Sequence, residues 1–535
     1  MTKKTRTVLF SICVFLFLVS ASAVVFYSQG YRFDFEKKKI TQTGAFYFKV
    51  LPRSAQIYFD GKLKKETDFI FGSALIENLL PKTYNIQIKK EGYISWEKTL
   101  EIKEKQVTEA KNIVLIPESL GFTVLVESKE VKDFFFSPDA KKIILEEIRE
   151  NGWQINLYDL KNNVKSYLIG EKDIAKSEVV KEDKSSSSPF AAARVSKVDF
   201  LSLKFSPDSK RILLKVGLKD YNPPSTLLPS AGSSEEKYFI LDLEKTPLDL
   251  ISLSFLGTDI QDISFNPQVP QKIFFTKPVE EDKSSSSPFA AARVSEEKIK
   301  ENKIAQTDLF EADWGTKEIS QTILSNLIAY EASGGNIFLI SDEGFLFRTD
   351  FSGKRQEQLS FSPFPIKKEV DYQLLVNFPK ILLKEDDNLY FFDQALENFK
   401  KLSAPANSFS FSPDFKKIVY FNNYEIWILF LEEKFDQPQK KVGEEIFLTR
   451  FSEKIGEVFW LTSHYLVFNT GNKIKIAEID DRDKINIVDL SPHQISGSEG
   501  LAEFKDPKIF WNQNNKKLYL FSEKNLYTSR ERLAP

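Results

Sequence analysis

One local pattern occurs five times along this chain: an aromatic-rich apolar strand, a turn of Ser-Pro-Asp type, one or two Lys or Arg, and a second apolar strand. The copies are FFFSPDAKKIIL (Phe134 to Leu145), LKFSPDSKRILL (Leu203 to Leu214), ISFNPQVPQKIFF (Ile263 to Phe275), FSFSPDFKKIVY (Phe409 to Tyr420) and IFWNQNNKKLYL (Ile509 to Leu520). Self-similarity at a spacing of tens of residues marks a repeat architecture, and an all-strand unit of this length predicts propeller blades. In each copy Pro presets φ at the second turn position, the neighbouring Asp bonds back to the turn backbone, and the basic residues keep the turn wet.

Blades are expected near 131–170, 200–257, 260–325, 326–361, 370–403, 406–452, 455–491 and 505–528. The last is short, and the strand from Phe122 to Glu127 is placed to complete it and leave no free edge. Seven or eight blades fit this pattern. The 535 residues exceed what one core holds, so one large and one small domain are expected. Forty-eight Phe and 18 Tyr weight the composition toward strands.

Val8 to Tyr27 carries no charge, and Lys3, Lys4 and Arg6 precede it. Such a run spans roughly the 30 Å of a bilayer's hydrocarbon. The charge bias puts residues 1–7 in the cytoplasm, 8–28 in the membrane and the rest outside. A cleaved signal peptide is the competing reading, from the small-x-small site Ala21-Ser22-Ala23. Val24-Val25-Phe26-Tyr27 continues the apolar run past that site and favours an uncleaved anchor. Cys13, the single cysteine, lies inside the run, so no intramolecular disulfide is expected.

Residues 29–44 are polar, carry Lys37-Lys38-Lys39 and read as a stalk; 45–117 then alternates in short strands. Ile57/Phe59, Ile86/Ile88 and Leu100/Ile102 fall on alternate positions, which buries one face of each strand. Asp60-Gly61 makes a hairpin turn, Pro81 begins another, and Glu91-Gly92-Tyr93 is a third break. These positions read Pro52, Ala55, Ile57, Asp60, Gly61 and Lys62, then Leu80-Pro81 with Tyr84 and Ile86, then Gly92-Tyr93. In that order the segment resembles the PEGA domain, a small extracytoplasmic β-sandwich. It departs from that family at Pro52-Arg53-Ser54-Ala55, where the eponymous Pro-Glu-Gly-Ala would stand, and at the missing glycine after Pro81. The repeats of 118–535 resemble TolB-like and WD40-type propeller blades, a likeness that implies a fold more than a task.

Fifteen residues, EDKSSSSPFAAARVS, occur identically at Glu182 to Ser196 and Glu281 to Ser295. Their Ser, Pro and small residues cannot bury enough apolar area to order themselves, so inserts of about 176–198 and 278–300 are expected to be disordered. The alternative is a pair of docking segments or protease-accessible tags.

No chemical motif stands out. The two histidines, His464 and His493, lack the spacing of a zinc pair and read as loop or edge residues. There is no Gly-x-Ser-x-Gly elbow and no Gly-rich phosphate loop. The clusters Glu385-Asp386-Asp387-Asn388 and Asp480-Asp481-Arg482-Asp483 lack the spacing of a calcium loop and read as solvated hairpin tips. Asp139, Asp208 and Asp414 belong to their turns. Trp153, Trp314, Trp427, Trp460 and Trp511 are expected between blades, with one or two free to stack on a sugar or peptide. A net charge near −2 offers no face for nucleic acid.

The sequence therefore predicts an all-β protein with a single N-terminal transmembrane helix, a small PEGA-like β-sandwich and a seven- or eight-bladed β-propeller. Its expected role is non-catalytic recognition of an envelope protein or cell-wall glycan from the outer face of a membrane. No residue is assigned a catalytic, cofactor-binding or metal-ligating role. The rivals are a propeller glycosidase with carboxylates in its channel and a self-associating surface-layer component.

Overall fold

The computed structural model describes residues 3–35, 37–128, 130–182, 197–219, 235–245, 248–279, 306–490, 493–495, 501–502 and 504–533. The chain is mostly β and divides into two compact units, 1–126 with 408–535, and 127–407. Most of both duplicated segments lies outside the described residues. Two expected insert boundaries move. Helix α2 (Glu171–Glu182) runs through the start of the first insert, and a strand has begun by Lys197.

In the first unit, helix α1 (Lys3–Ser28) holds the apolar run, and Thr5–Ser28 is long and apolar enough to cross a bilayer. The segment read as a stalk is instead a β-hairpin, Tyr31–Asp34 against Lys39–Gln42, with Phe33 opposite Ile40. Spacing hid this pairing because each strand has only four residues. Beyond it, Ser73–Leu79, Gly44–Leu51 and Val107–Val114 form one sheet. Lys62–Glu66, Gln56–Phe59, Thr83–Lys89 and Trp96–Glu101 form a second.

Period-two alternation turns Phe46, Phe48 and Val50 inward from one sheet and Ile57, Phe59, Ile86, Ile88 and Leu100 from the other, into one cluster. Burial of each such side chain contributes about 1.5–3 kcal/mol. Gly72 holds the crossover between the sheets at φ +69°, where an added Cβ would lie 2.3 Å from the Val50 carbonyl oxygen.

The repeats appear as four-stranded antiparallel meanders. The second unit contains strands grouped at 131–170, 197–252, 262–319, 324–358 and 372–401. The groups at 262–319 and 324–358 share one sheet. The short outer strand Glu318–Ile319 covers only Ala312 and Asp313, leaving Thr307 and Leu309 free to pair with Leu327 and Leu324. The first unit has corresponding meanders at 408–450 and 455–489, and a third at 508–529. Strand Gly121–Val126 completes the third, with Phe122 opposite Ser529.

The repeated turns share one bond set, which the serine dominates. Ser412 Oγ donates to Asp414 at 2.5 Å and accepts the Lys417 amide at 3.0 Å, and Ser137 and Ser206 repeat both contacts with Asp139/Lys142 and Asp208/Arg211. The residue after each Asp (Ala140, Ser209, Phe415) takes positive φ. In ISFNPQVPQ, Asn266 replaces the serine and accepts the Gln268 and Val269 amides. One expectation fails here. Lys417 is buried, its ammonium 2.8 Å from Asp414.

Within the first unit the sandwich is bolted to the 455–489 meander by a buried lysine. Lys98 is fully buried and lies 2.9 Å from Glu478. It also donates to the carbonyls of Asp480, Arg482 and Lys484 at 2.5, 2.8 and 2.9 Å. Trp96 Nε1 donates to Glu478 at 2.8 Å, and Thr99 N to Asp483 at 2.8 Å. Arg482 holds Asp480 and reaches the Glu109 carbonyl at 2.8 Å. The cluster 480–483, read as a solvated tip, is this junction. Composition marked it as polar, but the partners that bury it come from another part of the chain.

Removing the ammonium strips a donor from three backbone carbonyls and leaves the buried Glu478 carboxylate without its counter-charge, held among the described residues by Trp96 and Asn486 alone. Lys98→Met is expected to cost about 3–5 kcal/mol in urea unfolding of the full chain, and adding Glu478→Gln to recover part of that loss. Equal stability of wild type and Lys98→Met would refute the bolt.

Candidate functional site

In the second unit the first strands of three consecutive meanders are joined through their side chains. Lys204 on Lys197–Phe205 lies 2.9 Å from Asp262 on Asp262–Phe265. Ser264, two residues on and so on the same strand face, lies 3.2 Å from the Tyr330 hydroxyl on Leu324–Ser333. Glu331 follows Tyr330. Burial pushes its carboxyl up to about 7, and the nearby Asp262 charge pushes the same way while Lys204 opposes. Burial likewise raises Tyr330 above the ordinary phenol range.

A cleft of about 390 Å³ opens between the start of strand Glu235–Asp242 and the loop that leads from the 197–252 meander to Asp262, lined by Glu235, Glu236, Tyr238, Ser254, Thr258 and Asp259 among others. Lys215 lies 2.7 Å from Glu236 and 5.4 Å from the centre of the Tyr238 ring. Burial raises Tyr238, Lys215 pulls it back, and the charges of Glu236 and then Asp262 add to the rise. The arrangement suits a ligand with hydroxyls or a positive charge, bound by carboxylates and one aromatic ring. Outside that lining, on the first strand of the 324–358 meander, Glu331 is a carboxyl raised toward neutrality by burial.

The residues singled out in the sequence go elsewhere. Glu385, expected at a solvated tip, is buried and bonded to Lys367 Nζ (2.8 Å), Tyr390 (2.9 Å) and Tyr372 (3.1 Å). Burial would raise it, but these three donors win and hold it below the ordinary value, while both tyrosines rise to about 12 through burial and the adjacent carboxylate. Asp386 turns the tip instead, at φ +48°. Asp139, Asp208 and Asp414 sit in their turns. Burial opposes their ionisation and the serine, lysine and backbone bonds overcome it, leaving all three below the usual carboxylate value.

His464 lies in the turn between Ile455–Thr462 and Tyr465–Thr470, as expected of a loop residue, and is half-buried there. It lines a cavity of about 30 Å³ beside Trp96, Lys434, Glu478 and Asp480. Burial lowers His464 to about 4 and Lys434 to about 8. His493 pairs by its backbone with Ala502. Trp153, Trp314, Trp460 and Trp511 are buried in cores, whereas Trp427 is half-buried and stacks on Tyr420 at 6.3 Å. Among the described residues no group of three His, Cys, Asp or Glu is arranged to hold a metal ion.

Sequence reasoning missed Glu331, Asp262 and Lys204 because they stand singly in different repeats. A usable signal was their position: each occupies the first strand of its repeat, within a few residues of an aromatic.

No family model and no curated protein matches this chain. Among solved structures it is similar to an oligogalacturonate lyase from Vibrio parahaemolyticus, with 10% identity, 76% of this chain and 92% of that chain covered, and a TM-score of 0.37. It is also similar to the Saccharomyces cerevisiae protein Sqt1, with 9% identity, 78% and 99% covered, and a TM-score of 0.37. A computationally designed protein, Ika8, aligns at 11% identity over 76% of this chain and 98% of that one, with a TM-score of 0.40. At these TM-scores the likenesses assign nothing to this chain.

Glu331 provides a sign-specific test. Its folded value lies above the ordinary carboxylate value, so its stabilising proton is fully held below about pH 4.5 and lost as pH rises through about 7. Wild type is therefore expected to lose roughly 1–3 kcal/mol relative to Glu331→Gln between pH 4.5 and 8. Parallel pH–stability curves for the two proteins would contradict the shift.

Proposed function

We propose that this chain is a membrane-anchored extracytoplasmic binding protein. α1 is the uncleaved anchor, with residues 1–7 inside; 45–117 is a PEGA-like sandwich; and the repeated meanders are blades of the propeller type, five in 127–407 and three in the remainder. The ligand is a protein or cell-envelope glycan, taken in the cleft of Glu236, Tyr238 and Asp259. The single observation that carries this reading is the Lys98 bolt. A sandwich fixed to the 455–489 meander, with an apolar helix at its own start, is the build of a rigid pedestal rather than a flexible tether. Residues whose side chains join consecutive first strands support the propeller, because that is where blades converge.

One observation favours a second reading. Glu331, its carboxyl raised to about 7 by burial and the Asp262 charge, is the kind of acid that glycoside cleavage uses. Purified full chain in nanodiscs is expected to retain envelope glycan or protein ligands, to lose retention on Glu236→Lys with Asp259→Lys, and to show no turnover on glycan and peptide panels. Turnover abolished by Glu331→Gln would overturn the binding reading in favour of the hydrolase.

A further inference from the structure

The hairpin after α1 is amphipathic the wrong way round for water. Period-two alternation sends Arg32, Asp34, Lys39 and Thr41 to one face and Phe33, Phe35 and Ile40 to the other. The polar face packs toward the protein. Arg32 Nη2 donates to Asn78 at 2.9 Å, Thr41 Oγ1 to Glu104 at 2.5 Å, and Asp34 is buried. The apolar face points out, with Phe33 49%, Ile40 68% and Phe35 82% exposed. Exposing this set while pairing the polar one costs free energy in water, so a nonaqueous cover is implied.

The position of α1 says which cover. An open apolar groove of about 760 Å³ runs between the hairpin and the outer half of the helix, lined by Phe15, Leu18, Val19, Phe26, Phe33 and Ile40 among others. The hairpin is held at that height. Arg32 sits 3.4 Å over the Tyr27 ring and donates to the Tyr27 and Tyr31 carbonyls, Phe26 meets Tyr31 edge-on at 5.4 Å, and Lys37 Nζ donates to the Pro81 carbonyl. A cation on a tyrosine ring at the helix end, with Lys37 and Lys38 on the connecting turn and Lys39 opening the second strand, matches a phosphate layer lying above acyl chains.

We propose that this hairpin is a membrane wedge, seated in the outer leaflet of the same bilayer that α1 spans, with phospholipid acyl chains filling the groove and lipid phosphates at Arg32 and Lys37–Lys39. It rests on the reading of α1 as an uncleaved anchor. Its consequence is orientation: with helix and hairpin both embedded, the sandwich cannot swivel freely about one point.

The native cysteine separates the two claims. Full chain carrying a nitroxide on Cys13, and Cys13→Ser chains labelled at Phe33→Cys, Phe35→Cys, Ile40→Cys or Phe71→Cys, are placed in vesicles of phosphatidylcholine and phosphatidylglycerol. Collision rates with oxygen and with a water-soluble nickel chelate are then read. Labels at 33, 35 and 40 are expected to lose nickel-chelate collisions and gain oxygen collisions, as at Cys13, whereas the label at 71, on an exposed sandwich loop, stays water-like. Lipid-like Cys13 with water-like 35 and 40 would overturn the wedge and leave the anchor standing. Water-like Cys13 would remove the anchor and the wedge with it.

Discussion

A single ammonium, on Lys98, ties two separately patterned parts of the chain into one body. Its four acceptors all lie between residues 478 and 484, so the cage forms only when the sandwich strand Trp96–Glu101 meets the end of the 455–489 meander. Burying a charge is unfavourable unless every bond is supplied. Here burial pushes the Glu478 carboxyl upward, and Lys98 and then Trp96 pull it back. A contact of this kind specifies one docking geometry and penalises any slip, which hydrophobic packing alone does weakly.

Around that bolt further contacts repeat the same theme. Gln437 brackets the sandwich strand Val107–Val114, accepting from the Glu109 amide and donating to the Val107 carbonyl, and the Val114 amide donates to the Tyr465 hydroxyl. Arg482 reaches the same strand at the Glu109 carbonyl. The sandwich is thus fixed along two of its strands, one from each sheet. A body held at several points keeps one orientation relative to the meander it is fixed to.

How much of this was legible in the sequence follows the range of each interaction. The strand-turn-strand units were readable because their physics is local. Phe134 and Leu145 alternate in step with the pleat, and Ser137 to Lys142 closes its own turn within six residues. The completing strand at Phe122 was readable from the shortness of the last repeat. The serine's part in the turn was not foreseen, since Pro and Asp carry the obvious conformational signals while the hydroxyl's reach to the amide five residues on is a matter of geometry. The junction was invisible because Trp96 and Glu478 are 382 residues apart. The same holds for Glu331 and Asp262, whose mutual influence arises only when neighbouring meanders pack, and for Glu385, whose acidic neighbours suggested water where two tyrosines and a lysine supply the bonds.

If the bolt organises the molecule, the sandwich core and the 455–489 meander share one opening event. Native-state hydrogen exchange followed by mass spectrometry across a urea series measures this directly. Amides of Gly44–Leu51 and Thr83–Lys89 are predicted to exchange with the same opening free energy and urea dependence as those of Lys473–Glu478. A sandwich that opens at markedly lower free energy, while Lys473–Glu478 stays protected, would contradict the account.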